Sequence, residues 1–423
     1  MIKENTNPYL FEEGQLMIAD ETKVNITTEI LIIGGGITGT STAFFLAQSG
    51  HEVILLERNE IASEASGLNA GTLWQTGWGT FPDLSSTLSM GSLEILQTLQ
   101  FDLGYDIEFR QSGALKAIQT DEQLDFLQTE VQDLNSRGYS LKILTTLDAR
   151  SIEPELGSEL SGCLYYPLGG NANPVKTTHA FALEAQQNGA SILTRLEVSS
   201  IEYLDNASYK VDTSRGIYQT RTLVLAAGPW CRTIGFMLGL NIPVFPVRGQ
   251  MWSTGPVPTR LFHALGAAES THYWHNNPYS NKDTPLELTH RDNVRLTRHL
   301  YGRQTRDGEI IFGGDRQLSN SKIPDEAGIE SNQNHVIEIF PSLRQFPIKR
   351  TWAGLMPFTL NLEPIIGKIP QHESLYIVTG LGSSGFEQGP MSGKLLAEYI
   401  HNGKASPVLS NANPVRQVSP LVP

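Results

Sequence analysis

Cysteine is almost absent from the 423 residues: only Cys163 and Cys231 occur. Two cysteines cannot staple a chain of this size, so a reducing, cytoplasmic setting is expected. Their flanks, GCLYYP and PWCRTIG, contain no metal-ligand spacing, and no metal site is expected. The chain also lacks any apolar run of about 20 residues, which excludes a transmembrane helix from the expectations. Positive charge is in deficit. Lys and Arg total 31 against 44 Asp and Glu, a formal net charge of −13. A nucleic-acid partner is therefore not expected, because phosphate binding needs a basic face. An amine-bearing small molecule suits the overall sign better. Residues 1–28 are polar, with Glu4, Glu12, Glu13, Asp20 and Glu21, and lack the basic start and apolar centre of a signal peptide. They read as a surface arm.

What is present begins at EILIIGGGITG, residues 29–39. Glu29 to Ile33 have the branched, apolar character of a buried parallel strand. Gly34, Gly36 and Gly39 then fit G-x-G-x-x-G, Thr38 to Gln48 read as a helix, and Gly50 as its stop. HEVILLERN follows as a second strand ending at Glu57. In such a unit the first glycine permits the sharp turn. The second lets a pyrophosphate approach the backbone, and the third lets helix and strand pack closely. The helix N-terminus offers free N–H groups to phosphate. A carboxylate at Glu57 suits ribose hydroxyls and repels a 2′-phosphate, which disfavours NADP. The motif alone does not choose between NAD and FAD.

Three further stretches bear on that choice. ASEASGLNAGTLW (62–74) is rich in small residues, suited to backbone laid against a flat cofactor or to an ordinary loop. YQTRTLVLAAGPW (218–230) reads as a buried strand, Thr222 to Leu225, ending in a tight turn. SLYIVTGLGSSGFEQGPMSGKLLAEYI (374–400) is a second strand–glycine turn–helix unit, with Leu375 to Val378 as strand and Leu395, Leu396 and Tyr399 on the inner helix face. Its helix N-terminus could face the pyrimidine edge of a flavin, where the dipole stabilises negative charge.

Together these motifs, in this order from about Glu29 to His401, resemble the D-amino-acid oxidase family of flavoproteins. The resemblance implies an α/β fold: a Rossmann-like FAD-binding domain of the glutathione-reductase type and a substrate domain with a largely antiparallel β-sheet. It implies noncovalent FAD held by Gly34, Gly36, Ile37, Thr38, Gly39, Glu57 and Arg58. The 62–74 stretch would add Ser66, Gly67, Asn69, Ala70 and Gly71. Val198 would contribute its backbone, and Ala227, Gly228 and Trp230 the second turn. Gly354, Gly380, Gly382, Ser383, Ser384, Gly385 and Phe386 would complete the site. Residues 29–90, 160–240 and 346–405 are expected to form the FAD domain. Residues 91–159 and 241–345 are expected to form the substrate domain, and a tail from Ser406 to be loosely ordered. PVFPVRGQMWST, THYWHN and HLYGRQTRDGEIIFGGD read as strand-like pieces, and NNPYSNKDTP (276–285) as a surface insertion.

The implied activity is oxidation of the C–N bond of an amino acid or related amine, with oxygen or another acceptor taking the electrons. Oxidation of a 2-hydroxy acid on the same fold, and a flavin-bearing subunit without catalysis, are the alternatives. Arg303 in LYGRQTRDG is the expected carboxylate anchor, because a guanidinium fork suits a carboxylate. Tyr301 is a candidate hydrogen-bond donor and Arg248 a second cation, and THYWHN could line a pocket. The chain departs from its relatives at several positions. Gly354 stands where monomeric sarcosine oxidases carry a flavin-linking cysteine, and Met356 where glycine oxidase relatives carry an arginine. Asn361 replaces the usual aspartate, and Ile311 stands near the position of an oxygen-activating lysine.

Overall fold

A computed structural model of the chain describes residues 24–421, apart from 76–82, 206, 279–282 and 371. The arm expected at 1–28 lies outside it as far as residue 23, and 24–28 are the start of the first strand rather than arm. The middle of the 276–285 insertion also falls outside the described residues.

The chain opens as β1 (Val24–Ile33), α1 (Ile37–Gln48), β2 (Val53–Leu56) and the short β3 (Thr72–Leu73). Next come α2 (Leu84–Gln97), β4 (Ala114–Ile118), α3 (Asp121–Ser136), β5 (Lys142–Leu144), α4 (Thr146–Ile152), β6 (Gly162–Tyr166) and β7 (Gly170–Asn171). α5 (Pro174–Gln187), β8 (Ser191–Leu193), β9 (Val198–Tyr203), β10 (Tyr209–Thr213), β11 (Gly216–Leu225) and α6 (Cys231–Met237) follow. Then the chain forms β12 (Leu240–Asn241), the long β13 (Phe245–Pro256), β14 (Ala264–Ala267) and α7 (Glu269–Asn276). β15 (His290–Arg291) and β16 (Val294–Arg295) make a small ribbon before β17 (Tyr301–Gln304) and β18 (Glu309–Leu318). The chain closes with α8 (Glu326–Ile339), β19 (Arg350–Phe358), β20 (Ile365–Lys368), β21 (Leu375–Thr379), α9 (Gly385–Asn402) and β22 (Ser419–Pro420).

Two sheets organise these elements. The first runs β20-β21-β11-β1-β2-β8, with β10 and β9 continuing from β11. β1 lies parallel to both β11 and β2. Its side chains alternate between two buried faces: Ile30 and Ile32 meet the helices α1, α2, α5 and α9, whereas Leu31 and Ile33 meet the opposite core. That double burial explains its continuous apolar run. The second sheet, β19-β13-β18-β17-β14-β4-β6-β5, is antiparallel except where β14 pairs with β4. The architecture is α/β, a Rossmann-like layer beside a largely antiparallel sheet. Among the described residues no helix is long and apolar enough to cross a membrane.

α1 has no polar face because it is sandwiched between the first sheet, α5 and α9. Its contact with α9 is close enough that a β-carbon at Gly393 would lie 2.1 Å from Ser41 Oγ. α3 is capped by Thr120 and α5 by Asn173, whose side chains accept first-turn N–H groups.

Several sequence expectations shift. β6 and β19, placed with the FAD domain, lie in the second sheet, and the part of α2 from residue 91, placed with the substrate domain, packs in the helical core of the first. THYWHN is the helix α7, not a strand. Its His272 and His275 both reach Phe126 of α3, with ring centroids 5.6 and 4.5 Å apart, a three-residue spacing that only a helix places on one face. The tail from Ser406 to Leu421 is ordered, because its prolines fix turns that bury Leu409 and Ala412, and β22 pairs with β12. Leu409→Ala should therefore cost about 2–5 kcal/mol, read as a lower chemical-denaturation midpoint. An unchanged midpoint would place the tail outside the core.

Candidate active site

Between the two sheets lies a cavity of about 460 Å3. Its dinucleotide end is built by the β1–α1 turn. A β-carbon at Gly39 would sit 1.9 Å from the Gly34 carbonyl oxygen, so only glycine lets α1 start this close to β1. α1 has no side-chain cap at Gly36, and its N-terminus opens on the cavity, where Ile37 N–H donates to Ser66 Oγ at 2.9 Å. Glu57 is fixed at the end of β2 by two backbone donors, Gly35 and Asn59, each at 2.7 Å. The Arg58 guanidinium stacks 4.0 Å above the Trp230 ring and bonds Glu64 at 3.2 Å.

α9 supplies the second helix start. It follows the short turn Gly382–Ser384 and also lacks a side-chain cap. Two uncapped helix N-termini thus face one cavity, each offering N–H groups and a positive dipole end. The residues fit a dinucleotide with a flat ring. Gly36, Ile37, Thr38, Glu57 and Arg58 line it on the α1 side, and Gly382, Ser383, Ser384, Gly385 and Phe386 on the α9 side. Gly34, Ser66, Asn69, Val198, Ala227, Gly228, Trp230 and Gly354 complete the wall. Five of the residues expected at the cofactor stand behind that wall: Gly39, Gly67, Ala70, Gly71 and Gly380. Gly39 and Gly67 are held there by close backbone packing, and Ala70 turns its carbonyl to Arg303.

The other end of the cavity is walled by the second sheet and is strongly polar. The expected anchor, Arg303, is not in it. It is only 2% exposed, its Nε–H donates to the Ala70 carbonyl and its Nη1 lies 3.4 Å from Asn171 Oδ1. Burial pushes its pKa down to about 10. Arg303 holds the 69–71 backbone in place. Arg248 also lies outside, bonding Gln317 and the Ile323 carbonyl. Of THYWHN, Thr271 and Trp274 line the cavity, while His272, Tyr273 and His275 do not.

The guanidinium that lines it is that of Arg316, 7% exposed, and Lys116 is a second cation there. Its guanidinium lies 4.5 Å over the Trp274 ring, its Nη1 bonds Glu287 Oε2 at 2.7 Å, and its Nε is buried without a partner among the described residues. A bulge places it there. On β13 one residue separates Arg248 from Gln250, but their partners on β18, Gln317 and Gly314, are separated by two. The extra residue sits at Asp315, whose φ is +63°, and it shifts Arg316 from the core face to the cavity face. The only sequence signal for this is the run Gly313-Gly314-Asp315, residue types that tolerate a bulge.

His299, Tyr301, Lys116 and Glu387 line the same cavity, and of these the sequence pointed only to Tyr301. Burial, reinforced by Arg316, holds His299 well below its ordinary pKa. The neutral ring faces Arg316 Nη2 through Nε2 at 3.5 Å and Ser270 Oγ through Nδ1 at 2.8 Å. Burial pushes the Tyr301 phenol up to about 12, so it remains an O–H donor. Lys116 Nζ donates to Thr271 Oγ1 at 3.3 Å. Glu387, in the first turn of α9, accepts the Trp74 N–H at 2.7 Å, and burial pushes its carboxyl up to about 7. Neither cysteine lines the cavity; both are buried free thiols. Among the described residues no cluster of His, Cys, Asp or Glu could hold a metal ion.

Comparisons with known proteins agree with this geometry. The family described as FAD dependent oxidoreductase, DAO, matches residues 29–399. Glycine oxidase of Geobacillus kaustophilus (strain HTA426) is 26% identical over 379 residues, covering 88% of this chain and 92% of that protein. Mitochondrial dimethylglycine dehydrogenase of Mus musculus is 24% identical over 403 residues, 93% of this chain but 44% of that longer protein, so the chain spans less than half of it. The crystal structure of L-proline dehydrogenase from P. horikoshii has a TM-score of 0.77 at 27% identity, covering 93% of this chain and 98% of that one. A two-sheet fold, a cavity at two glycine-rich helix starts and a family match over most of its length lead to one conclusion: the chain belongs to the DAO family of FAD-dependent oxidoreductases.

Proposed function

We propose that this protein oxidises the C–N bond of an amino acid or related amine whose carboxylate is held by Arg316. When bound, FAD supplies the hydride acceptor, and the imine product hydrolyses. The glycine turn and the α1 N-terminus would hold the pyrophosphate, Glu57 the ribose, and the α9 N-terminus the pyrimidine edge. Oxygen or another carrier takes the electrons afterwards. Two buried free thiols are in keeping with a cytoplasmic setting.

The observation that carries this reading is Arg316. A guanidinium that lines the cavity, braced by Glu287 and stacked on Trp274, is rigid and suits a planar anion. Tyr301 contributes a second donor. The chain's role is to bind and orient: the carboxylate on Arg316 fixes which C–H bond faces the flavin end. An acid in the same cavity, Glu387, favours an amine over a hydroxy acid as the other substrate group.

Arg316→Lys should lower kcat/KM on the oxidised amino acid by more than about tenfold, ~1.4 kcal/mol, although the charge is kept. FAD content should not change. Full efficiency in steady-state kinetics would place the anchor elsewhere. Glu57→Gln should weaken FAD binding by about 1–2 kcal/mol, since the ribose and two backbone N–H groups all lose a charged acceptor. A titration of apoprotein with FAD checks this, and equal affinity would remove Glu57 from the ribose site. With Gly354 at the cysteine position, acid denaturation should release intact FAD into the supernatant. Yellow colour retained in the precipitate would show a covalent link.

A further inference from the structure

An ammonium nitrogen has no lone pair with which to form a C=N bond, so it must lose a proton before the C–H bond breaks. Besides Arg316 the cavity is lined by four titratable groups of the substrate end, and three are unsuited to accept it. Lys116 is a cation, the Tyr301 phenol is an O–H donor, and His299 would gain its charge beside Arg316. The cavity's other acids are engaged. Glu57 is held by two backbone N–H groups, Glu64 meets Arg58 and Lys322, and Glu287 pairs with Arg316, while Glu197 lies at an exposed rim. Glu387 alone is held by one neutral donor, Trp74 N–H, with no cation in ion-pair contact among the described residues.

We propose that Glu387 takes the proton from the substrate ammonium, an inference that rests on the amine-and-carboxylate reading above. One N–H bond breaks, its electron pair stays on nitrogen, and an O–H bond forms on the Glu387 carboxylate. The amine is left neutral and the acid neutral. The surroundings suit this exchange. Burial raises the carboxyl towards neutrality, and Lys116 on β4 is the charge that opposes the rise. Glu287, Arg316 and His299 line the same cavity. Of the elements packed on α9, α1, β3 and β21 carry no charged residue, Glu94 of α2 and Lys368 of β20 are exposed, and Lys394, Glu398 and His401 lie further along α9 itself. A carboxyl titrating near 7 is matched to proton transfer at neutral pH.

The test uses the FAD-loaded protein and acetate, a carboxylate without an amine, with binding followed by the visible flavin spectrum. Ionised Glu387 repels acetate and the protonated acid does not. Glu387 loses its proton as pH rises through about 7, so the acetate Kd should rise about tenfold between pH 6 and pH 8. Glu387→Gln should flatten that dependence, and Glu387→Asp should keep it. In kinetics, wild-type kcat/KM should climb through pH 7. Glu387→Gln should lose that limb and recover only at alkaline pH, where the free amine is already neutral. A residue that merely shaped the site would lower activity equally at every pH. An acetate Kd that stays flat in the wild type, or a Gln variant that keeps the neutral limb, would overturn the proposal. Failure of acetate to bind at any pH would overturn the carboxylate reading, and this proposal with it.

Discussion

The site depends on how closely α1 can approach its neighbours. Backbone contact at Gly34 and Gly39 seats its first turn against β1, and the Gly393–Ser41 contact seats its flank against α9. Both contacts exclude a β-carbon, and together they bring two uncapped helix N-termini to one cavity. Unpaired N–H groups and two positive dipole ends are costly where nothing negative meets them, and favourable where a phosphate or an electron-rich ring does. Ser66 satisfies one of these donors, and bound FAD would satisfy others. Packing and cofactor binding are therefore one constraint.

The second sheet imposes the opposite chemistry. Its cavity face carries Arg316, Lys116 and Tyr301, with His299 just ahead of β17, in a largely buried setting where each charge must be braced or titrate. Arg316 is braced by Glu287 and Trp274, and Lys116 by Thr271. His299 stays neutral, and Glu387 shifts towards neutrality. The result is a cavity that offers donors to an anion at one point and an acceptor for a proton at another.

Most of the FAD end was legible in the sequence because its signals are local. A buried parallel strand, a glycine turn and a helix start lie within a dozen residues, and each part constrains the next. The substrate end was not legible in the same way. Arg303 and Arg316 sit on neighbouring antiparallel strands, and a regular β18 would keep residue 316 on the face of Ile310 and Phe312, in the core under α8. The bulge at Asp315 reverses that, and a bulge is a property of pairing register rather than of composition. Lys116 lies mid-strand in ALKAI and Glu387 one turn into a helix, and their convergence depends on the fold as a whole. THYWHN misled for a simpler reason, since aromatic residues favour strands until a neighbouring helix offers them a common face.

In the proposed arrangement, one cavity joins an FAD site to a site for a carboxylate and an amine. An anaerobic screen tests it most directly: the yellow holoprotein is mixed in turn with amino acids, simple amines and 2-hydroxy acids, and the visible flavin absorbance is followed. An amino acid should bleach the flavin and release ammonia or an amine, while its hydroxy-acid counterpart should not. Bleaching by hydroxy acids alone, or by nothing that carries a carboxylate, would contradict it.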